Sequence, residues 1–148
     1  MGNRILLVGN EKFTREAYKD GIYYIMPEKK YLNAIYESYE VDNISNLNLD
    51  TNKAINLIKL FCDTNDYDFC VICFGENEIR TNSPIVFKKN LQSIINILKN
   101  RGIAPIFVEF VSNIGYDIDT YNKIIRELKD LNNVESKLYC DCIKLANA

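Results

Sequence analysis

The sequence predicts an α/β fold, a three-layer α/β/α sandwich around a central parallel sheet. Short apolar runs alternate along the chain with longer helical stripes, in the order β, α, β, α, β, α. Two of the runs, 69–74 and 103–111, are apolar almost throughout, as expected of strands covered on both faces. Since parallel strands need crossovers, and since these crossovers are right-handed, this alternation indicates one parallel sheet with helices packed on it.

Each element has its own signal. Strands are predicted at 4–8, 39–44, 69–74, 103–111 and 134–141. Apolar side chains at close to 3.6-residue spacing predict three helices. These side chains are Ala54, Ile55, Ile58 and Phe61; Ile85, Leu91, Ile94, Ile95 and Leu98; and Ile118, Tyr121, Ile124, Ile125, Leu128 and Leu131.

Residues typical of helix ends flank these stripes. Asp50 or Thr51 can cap the first helix, and Ser83 before Pro84 places a capping residue ahead of a proline at the first helical position. The Arg-Gly pair at 101–102 ends that second helix. The fold-class prediction is therefore supported by local chemistry as well as by periodicity.

Length and charge limit the class of protein. The 148 residues, 47% hydrophobic and 26% charged, are typical of one globular domain, which we predict to span 1–148. A net charge of −2 gives no attraction to nucleic acid or to an anionic membrane, so neither partner is predicted. The first apolar run is too short for a secretory signal and no stretch is long enough to span a membrane, which predicts a cytoplasmic protein.

The chain contains no histidine. This removes the usual general base of serine and cysteine hydrolases and the commonest zinc ligand. The five cysteines are an odd number without a secretory signal, which favours reduced thiols. Cys70 and Cys73 are three apart on a predicted strand and should face opposite ways, and the pair Cys140 and Cys142, with Cys62 near it, is more typical of a core. No metal or cofactor is predicted.

In open parallel sheets, ligands bind beyond the carboxyl ends of the strands. The segments there are 9–11, 44–46, 75–78, the stretch from 112, and 141–144, and several of their residues are polar or charged. We therefore expect a cleft that forms hydrogen bonds with a polar ligand.

In order and spacing, these segments resemble the SGNH hydrolases, also called the GDSL lipase and esterase superfamily. Ile5-Leu-Leu-Val-Gly-Asn-Glu11 is similar to the family's strand followed by Gly-Asp-Ser, and Cys70-Val-Ile-Cys-Phe-Gly-Glu-Asn-Glu78 to its strand followed by Gly-x-Asn-Asp. The helix 84–101 before Ala104-Pro-Ile-Phe107 resembles the usual continuation, and Asp141-Cys-Ile-Lys-Leu145 the closing Asp-Gly-Ile-His-Leu. The resemblance implies the family's fold and an ester-hydrolase ancestry.

The resemblance also implies roles for single residues. Glu11 takes the place of the nucleophilic serine and Lys144 that of the catalytic histidine, while Asp141 matches the family's aspartate. Asn10 replaces the aspartate before the serine. The family's second-block glycine is not evident near 45–46.

Three further positions are implied to bind substrate together with Asn10. Asn77 matches the oxyanion-hole asparagine, Gly75 forms its turn, and Gly9 follows the first strand. Outside the resemblance, Asn77 after a glycine is also an ordinary turn residue.

Serine acyl transfer needs a hydroxyl nucleophile beside a base poised near neutral pH. Glu11 offers a carboxylate and Lys144 an ammonium, which would more simply form an ion pair, extended through Asp141. The first hypothesis is therefore a degenerate domain, a non-catalytic binding or interaction module for a small-molecule or carbohydrate ester.

The alternative is an active hydrolase of acyl or acetyl esters, carbohydrate esters among them. Glu11 with Glu76 or Glu78 would be a carboxylate pair tuned by Lys144, or Thr14 a displaced nucleophile. Against this, carboxylates at 76 and 78 flanking a turn are ordinarily exposed to solvent.

A third hypothesis concerns the tyrosines. Six of the ten lie within 18–39. The longer stretch 13–39 is predicted to hold a short helix, a break at Gly21 and Pro27, and a second helix. Tyrosine suits interfaces and sugar stacking, so the segment is a candidate homo-oligomer surface or lid, or packs helices onto the sheet.

Nucleotide binding is not predicted, because the segment after the first strand has a single glycine and lacks a phosphate-loop spacing. A flavodoxin-like or receiver-like module remains an alternative within the same fold class.

Overall fold

The computed structural model describes residues 4–9, 18–19, 22–23, 40–44, 49–74, 76–110 and 117–138. Its strands are β1 (Arg4–Gly9), β2 (Tyr18–Lys19), β3 (Ile22–Tyr23), β4 (Glu40–Asn43), β5 (Phe69–Cys73), β6 (Ala104–Glu109) and β7 (Glu135–Leu138). Its helices are α1 (Thr51–Thr64), α2 (Glu76–Thr81), α3 (Pro84–Asn100) and α4 (Ile118–Asn132). The five predicted strands and three predicted helices are confirmed within the described residues, whereas positions 39, 111 and 139–141 of the predicted strands lie outside them.

Five strands form one sheet in the order β4-β1-β5-β6-β7, and every neighbouring pair in it is parallel. The chain passes from β1 outward to β4 and then returns past β1 to β5. The direction of winding therefore reverses between β1 and β5, where doubly wound sheets form a crevice. In the register of this pair, Gly9 stands opposite Cys73 at the carboxyl ends.

Local chemistry sets the helix ends as predicted. The Asp50 side chain accepts a hydrogen bond from the backbone N–H of Lys53 at 3.0 Å and caps α1, which resolves the choice between Asp50 and Thr51. Ser83 caps α3 ahead of Pro84. The chain leaves α3 through Gly102 at φ +71°, a left-handed conformation that glycine adopts without strain.

The core lies between the sheet and the helices α1, α3 and α4. One face of the sheet contributes buried side chains to it, namely Leu6, Val8, Cys70, Ile72 and Phe107. The helices contribute Ala54, Ile58, Phe87, Leu91, Ile94, Ile95, Leu98, Ile125 and Leu128. Each large aliphatic side chain buried in this way stabilises the fold by about 1.5–3 kcal/mol.

Side chains that point to the opposite face of the sheet are buried as well. Ile5, Leu7, Val71 and Ile106 are each at most 3% exposed. The central strands are thus covered on both faces, which is the arrangement that their continuous apolar sequence predicted. The predicted α/β class with a central parallel sheet is confirmed.

The end of β6 is held by a single side chain. The Asn122 amide in α4 accepts a hydrogen bond from the backbone N–H of Phe110 at 2.6 Å and donates one to its carbonyl at 2.9 Å. Phe110 also packs against the rings of Phe87 and Tyr121, with centroid distances of 5.8 Å in both cases. The residue after the strand is therefore fixed in place.

Two segments differ from expectation or fall outside what is described. Within 13–39 the structure describes only the antiparallel pair β2–β3, so residues 18–19 are extended where the first of the two helices was predicted. The rest of that segment, and the interface or lid hypothesis for the tyrosines, stay predictions. Residues 76–81, interpreted from sequence as part of a turn, form the short helix α2. Among the described helices, none is long and apolar enough to cross a membrane.

Candidate functional site

The candidate site is the carboxyl edge of the sheet at β1 and β5. Gly9 and Cys73 end these two strands side by side, and the backbone N–H of Ile44, just after β4, bonds to the carbonyl of Leu7. The segments that follow β1, β4 and β5 thus start from one edge. This is the juxtaposition that the sequence predicted for a ligand cleft.

Asn77 lies at this edge, in the first turn of α2. Its side chain is half-buried, and its amide nitrogen donates a hydrogen bond to the carbonyl of Leu49 at 3.2 Å. The contact joins α2 to the chain segment that leads into α1. An amide nitrogen carries two hydrogens, and this bond uses one of them.

Five of the predicted site residues lie outside the described residues. They are Asn10, Glu11, Gly75, Asp141 and Lys144. Their assignment to the triad and to the binding positions stays a prediction, as does that of Thr14, and only Gly9 and Asn77 are placed at the sheet edge.

Glu78 is the main feature that the sequence did not reveal. Its carboxylate is fully buried, at 0% exposure, where an exposed turn residue was expected. The reason is that α2 turns this side chain toward the start of α1. The backbone N–H of Thr51 donates to one carboxylate oxygen at 2.6 Å, and the Thr51 hydroxyl donates to the other at 2.7 Å.

Asn82 and Asn90 complete the surroundings of this carboxylate. The Asn82 amide, four residues further along, donates to the Glu78 carboxylate at 2.9 Å. The Asn90 amide donates to the Thr51 hydroxyl at 2.9 Å and to the side-chain oxygen of Asn52 at 2.7 Å. Every hydrogen bond of the group is supplied by protein, as a buried polar cluster requires. We call Thr51, Asn52, Glu78, Asn82 and Asn90 the Glu78 cluster.

The environment raises the pKa of the Glu78 carboxyl above its usual value. Burial is the largest cause, because it disfavours the charged form, and the negative charge of Asp50 acts in the same direction. The hydrogen bonds from Thr51 and Asn82 oppose both by stabilising the carboxylate. The position of the carboxylate at the N-terminus of α1 also favours negative charge.

This arrangement bears on the proposed chemistry. Both Glu78 oxygens accept hydrogen bonds inside the protein, so this carboxylate is not exposed to a substrate. The side chain of Glu76 lies outside the described side chains. The hypothesis of a catalytic carboxylate pair is thereby reduced to Glu11 with Glu76.

One sequence signal could have indicated the cluster. Asn90 interrupts the apolar stripe of α3 beside Phe87 and Leu91, and a polar residue at a core position usually has a buried partner. Glu78 and Asn82 are four apart, on one face of a helix. The helix α2 has only six residues, however, and carries no periodic pattern.

The described residues contain no group of three or more potential ligands that could hold a metal ion. Cys62 and Cys70 are buried without a disulfide. Cys70 belongs to the helix-side core, whereas Cys73 is buried on the strand three positions later, as the strand geometry predicted.

No family model matches the sequence, and no curated protein matches it. Solved structures do. AlinE4, described as an SGNH-hydrolase family esterase, has a TM-score of 0.75 at 18% identity, over 97% of this chain and 79% of its own. A lipase/acylhydrolase from Enterococcus faecalis has a TM-score of 0.75 at 19% identity, over 94% and 77%. A lipolytic protein of the G-D-S-L family from Veillonella parvula DSM 2008 has a TM-score of 0.71 at 17% identity, over 91% and 76%.

These matches extend over nearly all of the chain. The sequence resemblance and the structural comparison therefore point to the same architecture: the chain has the α/β fold of the SGNH hydrolases, the GDSL esterases and lipases.

Proposed function

We propose that this chain is a degenerate SGNH-like domain that binds a small-molecule or carbohydrate ester at the carboxyl edge of its sheet without hydrolysing it. The observation that carries the proposal is an esterase fold whose 148 residues contain no histidine. Acyl transfer on this fold needs an imidazole to take the serine proton. At the two matching positions stand Glu11 and Lys144.

The chemistry of these two residues supports binding over turnover. A glutamate at position 11 has no hydroxyl to activate, and a lysine side chain is a much weaker proton acceptor near neutral pH than the imidazole that it replaces. An ion pair between them is the simpler arrangement. Asn77, by contrast, retains the amide donor that could hold the carbonyl oxygen of an ester.

A turnover assay tests the proposal directly. We expect the purified protein to hydrolyse p-nitrophenyl acetate and p-nitrophenyl butyrate no faster than its Asn77→Ala variant. A wild-type rate well above that of the variant would contradict the proposal. In that case Glu11→Gln decides the mechanism, because loss of the rate would establish the carboxylate-based alternative.

A restoration experiment tests the two positions themselves. The double variant E11S/K144H would rebuild a serine and a histidine beside Asp141, and we expect it to gain esterase activity. The matched control is E11A/K144H, which has the imidazole without a nucleophile. Equal rates for the two would show that residues 11 and 144 do not meet.

Binding needs its own measurement. Triacetin is a soluble acetyl ester, and titration of the wild-type protein with it should shift the side-chain amide signals of Asn77 in NMR spectra. The same titration of Asn77→Ala should show weaker binding at the remaining signals. An absence of any shift would remove acetyl esters from the ligand class.

A further inference from the structure

Two consecutive side chains of α2 are tied to the same short segment of chain. Asn77 donates to the carbonyl of Leu49, and Glu78 accepts both hydrogen bonds of Thr51, two residues later. Leu49 and Thr51 are themselves buried, at 1% and 0% exposure. Since the two side chains leave α2 in directions about 100° apart, these contacts fix the rotation of α2 about its axis.

The two contacts differ in strength. The bonds between Glu78 and Thr51 are short, at 2.6 and 2.7 Å, and involve a carboxylate, whereas the bond of Asn77 is longer, at 3.2 Å, and joins neutral groups. Hydrogen bonds to ionised groups are roughly twice as strong as neutral ones. The Glu78 carboxylate is therefore the dominant connection and the Asn77 amide follows it.

We propose that Glu78 is a positioning residue, whose carboxylate holds α2 against the start of α1 and thereby sets the direction in which the Asn77 amide faces the carboxyl edge. This inference rests on the proposed function in one respect, because the direction of the Asn77 amide has a functional consequence only if that amide donates to a ligand. The positioning itself is a property of the free protein. It can be measured without ligand or turnover.

The test is the NMR signal of the Asn77 side-chain amide, identified by its loss in Asn77→Ser. In the wild-type protein this signal should shift with pH along the same curve as the carboxyl carbon of Glu78. Protonation removes the charge that holds the Thr51 N–H, so α2 moves slightly and the amide follows. In Glu78→Gln, which keeps the length of the side chain, the pH-dependent shift should be lost.

The control is Glu109→Gln. Glu109 is another buried carboxylate, 7% exposed, but it pairs with Arg126 at the end of β6. This variant makes the same chemical change away from α2. It should preserve the pH curve of the Asn77 amide even if it lowers stability.

The effect of Glu78 on the Asn77 signal must be distinguished from the effects of other titratable groups nearby. Among the described residues these are Asp50, which precedes α1, and the Tyr121 hydroxyl of α4, which bonds to the carbonyl of Asn82. Asp50→Asn retains a capping oxygen, so the signal of the Asn77 amide should still shift with pH in that variant. Tyr121 ionises far above the range of the titration.

A second pair of variants keeps the proposal testable if Glu78→Gln does not fold. Thr51→Val removes the hydroxyl donor to Glu78 and should displace the Asn77 amide signal, whereas Thr51→Ser should restore it. A role in stability alone predicts lower stability with an unmoved Asn77 signal, and that result would overturn the proposal. Detection of wild-type ester hydrolysis would refute the proposed function and leave this result unaffected.

Discussion

The two ends of the sheet hold charged groups in different ways. At the amino end, the Arg4 guanidinium binds Asp42 at 2.6 Å and lies over the ring of Tyr67 at 5.3 Å, while the Tyr67 hydroxyl donates to the same Asp42 oxygen. Arg4 and Asp42 side chains remain 28% and 35% exposed. At the carboxyl end, Glu78 has no exposure at all.

The difference predicts at which end of the sheet the loss of a contact lowers the free energy of unfolding most. Water can replace a partner at the half-exposed amino end, and such pairs contribute little to stability. In the Glu78 cluster the hydrogen-bond partners are protein groups. Removal of one of these side chains leaves a buried donor or acceptor without its hydrogen bond. We therefore expect the two ends to respond unequally to equivalent changes.

The largest effect is expected for Glu78→Ala. It leaves the backbone N–H and the hydroxyl of Thr51 without their acceptor, and each unsatisfied buried group costs about 1–3 kcal/mol. Unfolding in urea, followed by circular dichroism, should show a loss of about 2–5 kcal/mol. A loss smaller than that of Asp42→Asn, the amino-end variant, would contradict the comparison.

A smaller effect is expected from pH. The folded state raises the pKa of Glu78, so the folded protein binds this proton more tightly than the unfolded chain does. The contribution of Glu78 to stability should be greatest below the unfolded value of about 4.5 and should fall as pH rises through the folded pKa. Subtracting the urea-unfolding profile of Glu78→Gln from that of the wild type isolates this slope, and a difference of opposite sign would refute it.

The smallest effect is expected for Asp42→Asn at the amino end. The substitution removes the charge that faces Arg4 but retains an oxygen that can accept from Arg4 and Tyr67. The loss in urea unfolding should be about 0.2–1 kcal/mol and should shrink in high salt. Burial and the hydrogen bond to Asp42 both raise the pKa of Tyr67, so the onset of its ionisation in ultraviolet absorbance should move to lower pH in this variant.

The parts of the fold that follow from the sequence are those with local causes. Pro84 after Ser83 marks a helix start by itself, and the apolar run at 69–74 needs no partner to be recognised as a buried strand. The interior of the Glu78 cluster has no such local cause. Its contact with Thr51 joins residues 27 positions apart, and only the packing of α2 on α1 brings them together.

For the same reason, only part of the candidate site could be predicted from the sequence. Gly9 and Asn77 could be placed at the carboxyl edge because parallel strands bring all their carboxyl ends to one side. The burial of Glu78 could not be foreseen, since Gly75-Glu-Asn-Glu78 has the composition of an exposed turn and the six-residue helix it enters is too short to show a period. Glu11, Asp141 and Lys144 stay predictions.

The two hydrogen bonds between the Asn122 side chain and the backbone of Phe110 have a practical consequence for engineering. One side-chain amide pairs both backbone groups of Phe110, the residue that follows β6. A peptide tag or protease site inserted after Ser112 should therefore leave the melting temperature close to that of the parent protein. With Asn122→Ala, the same insertion should lower it.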